Sequence, residues 1–576
     1  MASKPSLKFY DHISEMSTIR SVAETLLNSS KVRKITAREA YDLAVKQAGV
    51  EVTDMPMYKG TIERLNLPKD AKVLIDNHGK IIGRTAKARR FYARSTPSER
   101  KKLEGDIREA VFQMQGHKLI RTEAIVGLDS DLMIKANFIT TEDDANNVLN
   151  YLINFVPYEK LKDKYESSKK LPIQDIIVVG FNKWTINDSF YENQGAPQLA
   201  LVDHDHNVLF NLGMRYFGER KKGTLTLAWT SAMRLGMAAA HGGIKEIDFT
   251  NCDGEISKLG KRSVAFYGLS GTGKSSHTNS HDNGGTMPKG TKKVVLHDDA
   301  FQIDTKNKKC LVWEPTLFDK TDSRDFEDID WEYLCAGMNQ AMVSYKGKKT
   351  LLGLDIRQAN GRALFDRDLL GKWVNTCAFP SAIVWLMKDN TLPPIIKFSQ
   401  KSLALAMGTS LMTKRNRAEN VSEAELNKLV FEPFANPFRV YELYKDVEAY
   451  KEVLQSGAEC FTFNSSGYWI SSEDDLEPIP LQTSLTLQTA VLTGCLEWEN
   501  WDLVPGAMIP TKDSVEKILP GFYDKYNPRN RKNMNEYVAL IHNRFGQRHD
   551  FIRESDLVQR RDLQKELLNS LELLGK

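Results

Sequence analysis

A glycine-rich loop that ends in a lysine is the segment of this chain best suited to chemistry. It directly follows the apolar run of residues 263–267 and consists of Gly268, Leu269, Ser270, Gly271, Thr272, Gly273, Lys274, Ser275 and Ser276. Glycines let backbone N–H groups turn towards phosphate oxygens, the lysine brings a positive charge to the outer phosphates, and the first serine hydroxyl can hold a magnesium ion. The pattern predicts a phosphate loop between a strand and a helix, and therefore a site for a nucleoside triphosphate.

An acidic pair follows the next apolar run. Asp298 and Asp299 come directly after His297, at the end of the run of residues 293–296. Such a pair is often a helix cap or a solvated turn, but beside a phosphate loop it can hold a divalent cation directly or through water. The order strand, loop, helix, strand and acidic pair predicts an α/β nucleotide-binding core.

Two further segments contain candidate residues whose role the sequence physics leaves open. Residues 218–223 read Gly-Glu-Arg-Lys-Lys-Gly, and His241 follows them. Two lysines between glycines commonly form an exposed turn, and a lone histidine is commonly structural. Residues 83–90 are rich in Arg and Lys, which suits a solvated basic face, a nucleic-acid patch or a site for a small anion.

Composition limits the possible classes of protein. The chain has 576 residues, 41% of them hydrophobic and 27% charged, with a net charge of +4. These values predict a globular protein of two or three domains, and the small net charge neither requires nor excludes nucleic acid. We expect no membrane-spanning segment and no secretion signal. The six scattered cysteines argue against a disulfide framework and a structural zinc site, so we expect a cytoplasmic protein with reduced thiols.

The predicted secondary structure changes along the chain. Short amphipathic helices are expected before residue 50, strands dominate from about 118 to 250, and the polar residues 256–261 suit a connection between two lobes. We therefore place an N-terminal lobe at residues 1–250 and a C-terminal lobe at residues 251–576. The charged residues 530–575 predict helices, the last of them rich in leucine.

Taken together, these motifs resemble those of the ATP-dependent phosphoenolpyruvate carboxykinases. The family's phosphate loop ends in Thr-Thr where this chain has two serines, and its Gly-Glu-Met-Lys-Lys-Gly motif is similar to residues 218–223. Its metal-binding histidine follows the second lysine at the spacing of His241, and its Asp-Asp pair corresponds to residues 298–299. Its Gly-Arg-Ser-Pro-Lys motif resembles residues 83–87, and fainter similarity runs from about residue 60 to 545.

The resemblance implies an α/β fold with two lobes, one for the substrate at residues 1–250 and one with the phosphate loop for the nucleotide at residues 251–576. It implies the reversible conversion of oxaloacetate and ATP into phosphoenolpyruvate, CO₂ and ADP. The expected partners are these small molecules, without nucleic acid or membrane. Whether the protein is a monomer or a dimer stays open.

The resemblance also implies roles for individual residues. The implied catalytic residues are Arg84, which binds the substrate carboxylate, Tyr216, which faces the departing carboxylate, and Lys221, Lys222, Ser270, Lys274 and Arg357, with Arg362 as the alternative to Arg357. Nucleotide contacts are expected from the phosphate loop, Glu314 and Lys320. A Mn²⁺ ion would be held by Lys222, His241 and Asp299, with Asp298 beside it, and Mg²⁺ by Ser275 and the triphosphate. Lysine ligates only when neutral, so the pKa of Lys222 must lie well below the usual ~10.4.

The chain departs from the family where the family binds the base. The segment that begins at Asn464 lacks the family's nucleotide-contacting arginine, and Pro478 stands in its place by spacing. The phosphoryl donor could therefore be ATP, GTP or pyrophosphate. Two other functions remain open: a kinase with a different acceptor on the same scaffold, and a non-enzymatic nucleotide-binding protein that uses the basic stretches 84–102 and 412–418.

Overall fold

In a computed structural model the chain is a mixed α/β protein. The structure describes residues 17–77, 86–169, 171–193, 196–269, 271–280, 282–321, 327–353, 361–371, 373–414, 429–472 and 475–572. Within these residues, no helix combines the length and the apolar character that crossing a bilayer requires.

The helices are given in chain order. They are α1 (Thr18–Leu27), α2 (Ala37–Ala44), α3 (Lys59–Leu65), α4 (Pro97–Met114), α5 (Ala145–Asn154), α6 (Tyr158–Ser167), α7 (Phe217–Arg234), α8 (Lys274–Asn279), α9 (Lys401–Thr409), α10 (Leu443–Gln455), α11 (Leu481–Thr493), α12 (Lys512–Glu516), α13 (Phe522–Tyr526), α14 (Met534–Glu554) and α15 (Arg561–Leu571). Helix α15 confirms the predicted leucine-rich helix, because Leu563, Leu567 and Leu571 recur every four residues and are buried.

The strands of the first half are β1 (Val32–Lys34), β2 (Val50–Pro56), β3 (Lys72–Asp76), β4 (Arg89–Phe91), β5 (Leu119–Asp129), β6 (Leu132–Thr141), β7 (Val156–Pro157), β8 (Ile176–Phe181), β9 (Glu192–Asn193), β10 (Ala196–Pro197), β11 (Leu199–Asp203), β12 (Val208–Leu212), β13 (Ala238–Ala240), β14 (Gly242–Asp248), β15 (Lys261–Tyr267) and β16 (Lys292–His297).

The later strands are β17 (Phe301–Asp304), β18 (Lys309–Val312), β19 (Thr316–Lys320), β20 (Leu334–Met338), β21 (Met342–Tyr345), β22 (Lys348–Leu351), β23 (Arg362–Asp366), β24 (Thr376–Ala378), β25 (Ala382–Met387), β26 (Ile395–Phe398), β27 (Met412–Lys414), β28 (Leu429–Phe431), β29 (Glu459–Asn464), β30 (Tyr468–Trp469), β31 (Leu476–Glu477), β32 (Trp498–Asn500) and β33 (Ala507–Pro510).

The first of two compact units comprises residues 1–234 and 313–369. Its larger sheet has the order β1-β5-β6-β8-β12-β11-β4, with β7 paired to β5. Strand β8 is an unbroken apolar run, and all its residues are buried, as expected for a strand in the middle of a sheet. A second sheet has the order β19-β23-β20-β3-β2.

The second unit comprises residues 235–312 and 370–576. Its main sheet has the order β16-β14-β15-β25-β29-β26-β33-β32, and a smaller sheet has the order β13-β17-β18-β24. Strands β15, β25 and β29 are parallel neighbours, and every residue of β25 is buried. This central parallel part of the sheet ends at the glycine-rich loop.

The division into units differs from the predicted boundary at residue 250. Strands β19, β20 and β23 pair in one sheet with β2 and β3, so residues 313–369 belong to the first unit. The chain therefore passes between the units at residues 234, 312 and 369. Residues 256–261, predicted to connect two lobes, instead lead into β15: residues 256–260 lie between the antiparallel neighbours β14 and β15 of the second unit, and Lys261 begins β15.

Strand β14 and helix α8 approach each other closely at Gly243. A Cβ atom added to this glycine would lie 2.1 Å from Thr278 Oγ1 and 2.9 Å from Thr278 Cβ. Thr278 is fully buried, so it has no open space into which to move. The absence of a side chain at residue 243 therefore sets the height of α8, and of the loop before it, above the sheet.

We predict that Gly243→Ala lowers the free energy of unfolding by about 1–3 kcal/mol, because the added methyl group overpacks the contact with Thr278. Urea unfolding of the purified protein measures this. The matched control is Gly546→Ala in α14, where an added Cβ meets nothing within 4 Å. That change should raise stability by up to about 1 kcal/mol. Equal effects of the two substitutions would contradict the prediction.

Candidate active site

The glycine-rich loop has the predicted surroundings. Strand β15 ends at Tyr267, the loop follows, and α8 begins at Lys274. Gly273 caps the helix with φ +87°, and Gly271 has φ +85°, a region that side-chain-bearing residues rarely adopt. The Thr272 hydroxyl donates to the Leu269 carbonyl at 2.7 Å and tightens the turn. Ser270 lies outside the described residues.

The loop lysine and a histidine share one carboxylate oxygen. Lys274 Nζ lies 3.1 Å from Asp299 Oδ1, and His241 Nε2 lies 3.3 Å from the same atom. The sheet explains why three distant segments meet. Strand β14 is antiparallel to β15 and to β16, so its first residues lie beside the ends of both. His241 precedes β14, Lys274 follows β15, and Asp299 follows β16.

A carbonyl group fixes the orientation of His241. Its Nδ1 lies 2.6 Å from Ala435 O, which can only accept, so Nδ1 carries the hydrogen. In the neutral ring the lone pair is then on Nε2, the atom that faces Asp299. The side chain is buried, and its ring lies 5.4 Å from that of Phe438. A histidine that donates through one nitrogen and presents the other is oriented as metal ligands are.

A second histidine, which the sequence did not single out, shapes the acidic turn. His297 is fully buried, and its Nδ1 accepts the backbone N–H groups of Asp299 at 3.1 Å and Ala300 at 3.2 Å. These bonds hold the chain in the turn that presents the Asp299 carboxylate. Asp298 is buried and accepts from Asn279 Nδ2 at 3.4 Å. The only sequence signal was the position of His297 directly before the acidic pair.

A buried network of polar side chains packs against α8. His277 Nδ1 donates to Gln488 Oε1 at 2.8 Å, and Lys245 Nζ donates to Asn283 Oδ1 at 2.9 Å. Gln488 Nε2 links the two pairs through a 3.4 Å bond to Asn283. Burial lowers the pKa of His277 to about 4, so its ring is neutral. Burial also holds the pKa of Lys245 well below its ordinary value, and the nearby charge of Lys293 lowers it further.

The doubled lysine lies in the first turns of α7, in the first unit, rather than in an exposed turn. Lys221 is fully buried, and its Nζ lies 2.7 Å from Glu314 Oε1. Glu314 is equally buried and accepts from Asn154 Nδ2 at 2.7 Å. Lys222 is half-buried. The ion pair of Lys221 with Glu314 explains why a lysine is tolerated in this core, because each buried charge has an opposite charge within bonding distance.

Tyr216 packs against the start of the same helix. A Cβ atom on Gly218 would lie 2.4 to 2.7 Å from the Tyr216 ring, so glycine is needed for the ring to rest there. The Phe318 ring is shared: its centre lies 6.4 Å from that of Tyr216, 5.6 Å from Lys221 Nζ and 5.5 Å from Arg362 Cζ. Tyr216, Lys221 and Arg362 therefore surround one aromatic side chain.

Other predicted residues are brought together less closely or lie outside the described part of the chain. Arg84 and Arg357 fall outside the described residues. Lys320 is half-buried and lies opposite Arg362 in the pairing of β19 and β23. Lys222 belongs to the first unit, whereas His241 and Asp299 belong to the second, so the three-residue metal site stays a prediction. Among the described residues, no group of three or more His, Cys, Asp or Glu side chains is placed to hold a metal.

The basic stretch after residue 84 is largely engaged within the protein. Arg89 forms a two-pronged pair with the buried Glu219, at 2.7 and 3.0 Å. Arg100 donates to three backbone carbonyls, and Lys102 pairs with Asp106 and Asp188. These contacts position structural elements and weaken the alternative of a nucleic-acid patch.

We predict that Glu314→Gln lowers the free energy of unfolding by about 3–5 kcal/mol, because it leaves the buried Lys221 ammonium without its counter-charge. The double variant Lys221→Met/Glu314→Gln should regain most of that loss. Glu327→Gln is the control. It breaks the exposed pair of Glu327 with Lys346 and should cause no measurable change in the free energy of unfolding. Thermal unfolding of the four proteins decides this. A double variant no more stable than Glu314→Gln would contradict it.

Comparison with known proteins agrees with these observations. The chain matches the family described as phosphoenolpyruvate carboxykinase, of the ATP-dependent type, over residues 85–516, three quarters of its length. No curated protein matches the chain. The family match spans the glycine-rich loop, both lysines, the histidine and the acidic pair. The chain is therefore a member of the ATP-dependent phosphoenolpyruvate carboxykinase family.

Proposed function

We propose that this chain is a phosphoenolpyruvate carboxykinase that interconverts oxaloacetate and ATP with phosphoenolpyruvate, CO₂ and ADP. The observation that carries the proposal is the contact of Asp299 Oδ1 with both Lys274 Nζ and His241 Nε2. A kinase with another acceptor needs the lysine and the acidic residue. It has no need of a buried histidine whose lone pair is directed at the same carboxylate.

The donor atoms fit a divalent cation. His241 Nε2 and Asp299 Oδ1 are nitrogen and oxygen ligands of the kind that Mn²⁺ accepts, and the Ala435 carbonyl supports the histidine from behind. Lys222 is the third ligand that the family implies, and Ser275 would hold Mg²⁺ with the triphosphate. When bound, the cation supplies Lewis acidity that stabilises negative charge on an enolate oxygen.

The chain's own residues carry the remaining tasks. In phosphoryl transfer, the loop N–H groups and the Lys274 ammonium stabilise charge on the phosphate oxygens. Asp299 keeps Lys274 oriented before the nucleotide binds. Arg84 provides a planar fork for the substrate carboxylate. Lys221, held in place by its pair with Glu314, would help to spread the charge of the transferred phosphoryl group.

A second arginine is required near the transferred phosphoryl group. Arg362 is favoured for this role by its position over the Phe318 ring, which it shares with Lys221 and Tyr216. A cation over an aromatic face is attracted by the negative face of the ring, so the contact with Phe318 helps to orient the Arg362 guanidinium. Arg357, the first choice from the sequence, remains the alternative.

We predict phosphoenolpyruvate formation from oxaloacetate with ATP and Mn²⁺, measured by a coupled assay, with GTP and pyrophosphate tested in parallel. His241→Ala and Lys222→Ala should each lower kcat/KM at least about a hundredfold, because each removes an interaction in the transition state. His542→Ala and Lys59→Ala are the controls, since both residues are exposed. If no phosphoenolpyruvate forms with ATP, GTP or pyrophosphate, the kinase with another acceptor is favoured.

Metal binding can be tested without turnover. We predict that the purified chain binds Mn²⁺ in the absence of substrates and that His241→Ala weakens this binding at least about tenfold, as loss of one ligand from a small set should. Electron paramagnetic resonance of free Mn²⁺ measures the affinity, with His542→Ala as the control. Equal affinities in the two variants would remove His241 from the metal site.

A further inference from the structure

The first unit contains a cavity that the proposed reaction does not use. Its volume is about 340 Å³, and it is lined by Ala48, Asp143, Asn182, Lys183, Gly213, Met214 and Arg215. None of these described lining residues was assigned to substrate, nucleotide or metal. The volume lies at the small end of the range for ligand sites, so an occupant would have few non-hydrogen atoms.

The topology places this cavity where α/β sheets bind ligands. Strands β6, β8 and β12 are parallel neighbours, so their carboxyl ends lie at one edge of the sheet. Asp143 follows β6, residues 182–183 follow β8, and residues 213–215 follow β12. Helices α5 and α7 begin directly beyond. Ligands of open α/β sheets bind in the crevice outside such strand ends.

Arg215 is the residue that indicates the ligand. It is 5% exposed, and its contacts with carboxylates are long: Nη2 lies 3.5 Å from Asp76 Oδ1, and Nε lies 3.7 Å from Asp144 Oδ1. Charge-assisted bonds are about 2.7–2.9 Å long. Among the described residues, Nε has no hydrogen-bond partner. The guanidinium is therefore buried, charged and only loosely paired beside an open space.

The neighbouring Arg220, which is fully buried and does not line the cavity, makes the close contact with Asp144 in the same core. Arg220 Nη2 donates to Asp144 Oδ2 at 2.8 Å, and that carboxylate also accepts from Thr140 at 3.0 Å and from Asn147 at 2.8 Å. Asp144 is thus satisfied by other groups, which leaves Arg215 with donor capacity to spare. Since Arg215 lines the cavity, a carboxylate inside it could receive the guanidinium fork.

The other polar groups that line the cavity limit which ligands can fit it. Lys183 and Asp143 neutralise each other at 2.8 Å, and their side chains are half-exposed, so they lie at the rim. Asn182 Oδ1 is a buried atom without a hydrogen-bond partner among the described residues, which calls for a hydroxyl group. The carboxylates of Asp76 and Asp144 behind Arg215 repel a doubly charged phosphate more than a singly charged carboxylate.

We propose that this cavity is a binding site for a small monocarboxylate that carries a hydroxyl group, separate from the site of the carboxykinase reaction. The carboxylate pairs with Arg215, and the hydroxyl bonds to Asn182. Ala48 and Met214 cover the carbon atoms between them. The binding does not depend on carboxykinase activity, so it can be tested whether or not the proposed function holds.

The test uses L-lactate as the probe and propanoate, which lacks the hydroxyl group, as its comparison. Saturation-transfer NMR titrations would follow the wild-type chain and Ala48→Phe, which fills the rim of the cavity without removing a polar group. Val45→Phe is the control, because Val45 is exposed in the same segment but does not line the cavity. We expect lactate to bind the wild type and the control alike, and at least tenfold more weakly to Ala48→Phe.

Further measurements complete the test. Propanoate should bind the wild type several-fold more weakly than lactate, and Asn182→Leu should remove that difference. Equal lactate affinity in Ala48→Phe and Val45→Phe would overturn the inference. So would a matching rise in the KM for oxaloacetate in Ala48→Phe, since the cavity would then be the substrate site. Arg215→Lys should weaken lactate binding as well, and Ala48→Phe decides the matter if that variant does not fold.

Discussion

The arrangement of the candidate site in the second unit depends on a single carboxylate, that of Asp299. Asp299 forms an ion pair with Lys274 and faces His241. Each of these three residues lies next to the end of a different strand of one sheet. Because β14 is antiparallel to both β15 and β16, one edge of the sheet collects the start of one strand and the ends of two others. Any shift in register between these strands would move one of the three groups away from the other two.

The groups around this carboxylate are each fixed by a residue behind them. The Ala435 carbonyl sets the tautomer of His241, His297 holds the turn that carries Asp299, and the network from His277 to Lys245 supports the helix that begins at Lys274. Preorganised polar groups of this kind need no rearrangement when charge develops on a substrate. The first unit follows the same rule, since Glu314 fixes Lys221 in a core that would otherwise reject its charge.

Local features were predictable from the sequence, because they depend on neighbouring residues. The strand, glycine-rich loop and helix at residues 261–279 were predicted correctly, as was the last helix, and the predicted neighbours His241 and Asp299 do meet. Pairing between distant segments was not predictable. A short strand such as β19 has no sequence feature that identifies its partner strand. Its place beside β23 and the contact of the nearby Glu314 with Lys221 were therefore not predicted. The contact of Glu314 with the nucleotide, expected from the family resemblance, stays a prediction.

The order in which the segments occur along the chain has a consequence for biosynthesis. The first unit needs residues 313–369 to complete the sheet around β3, and the second unit needs everything up to α15. A nascent chain leaving the ribosome cannot finish its first unit until residues 235–312 of the second unit, with the whole glycine-rich loop, have been translated. The edge of β3 that pairs with β20 stays uncovered during that interval, and unpaired strand edges make a partly folded chain prone to aggregation.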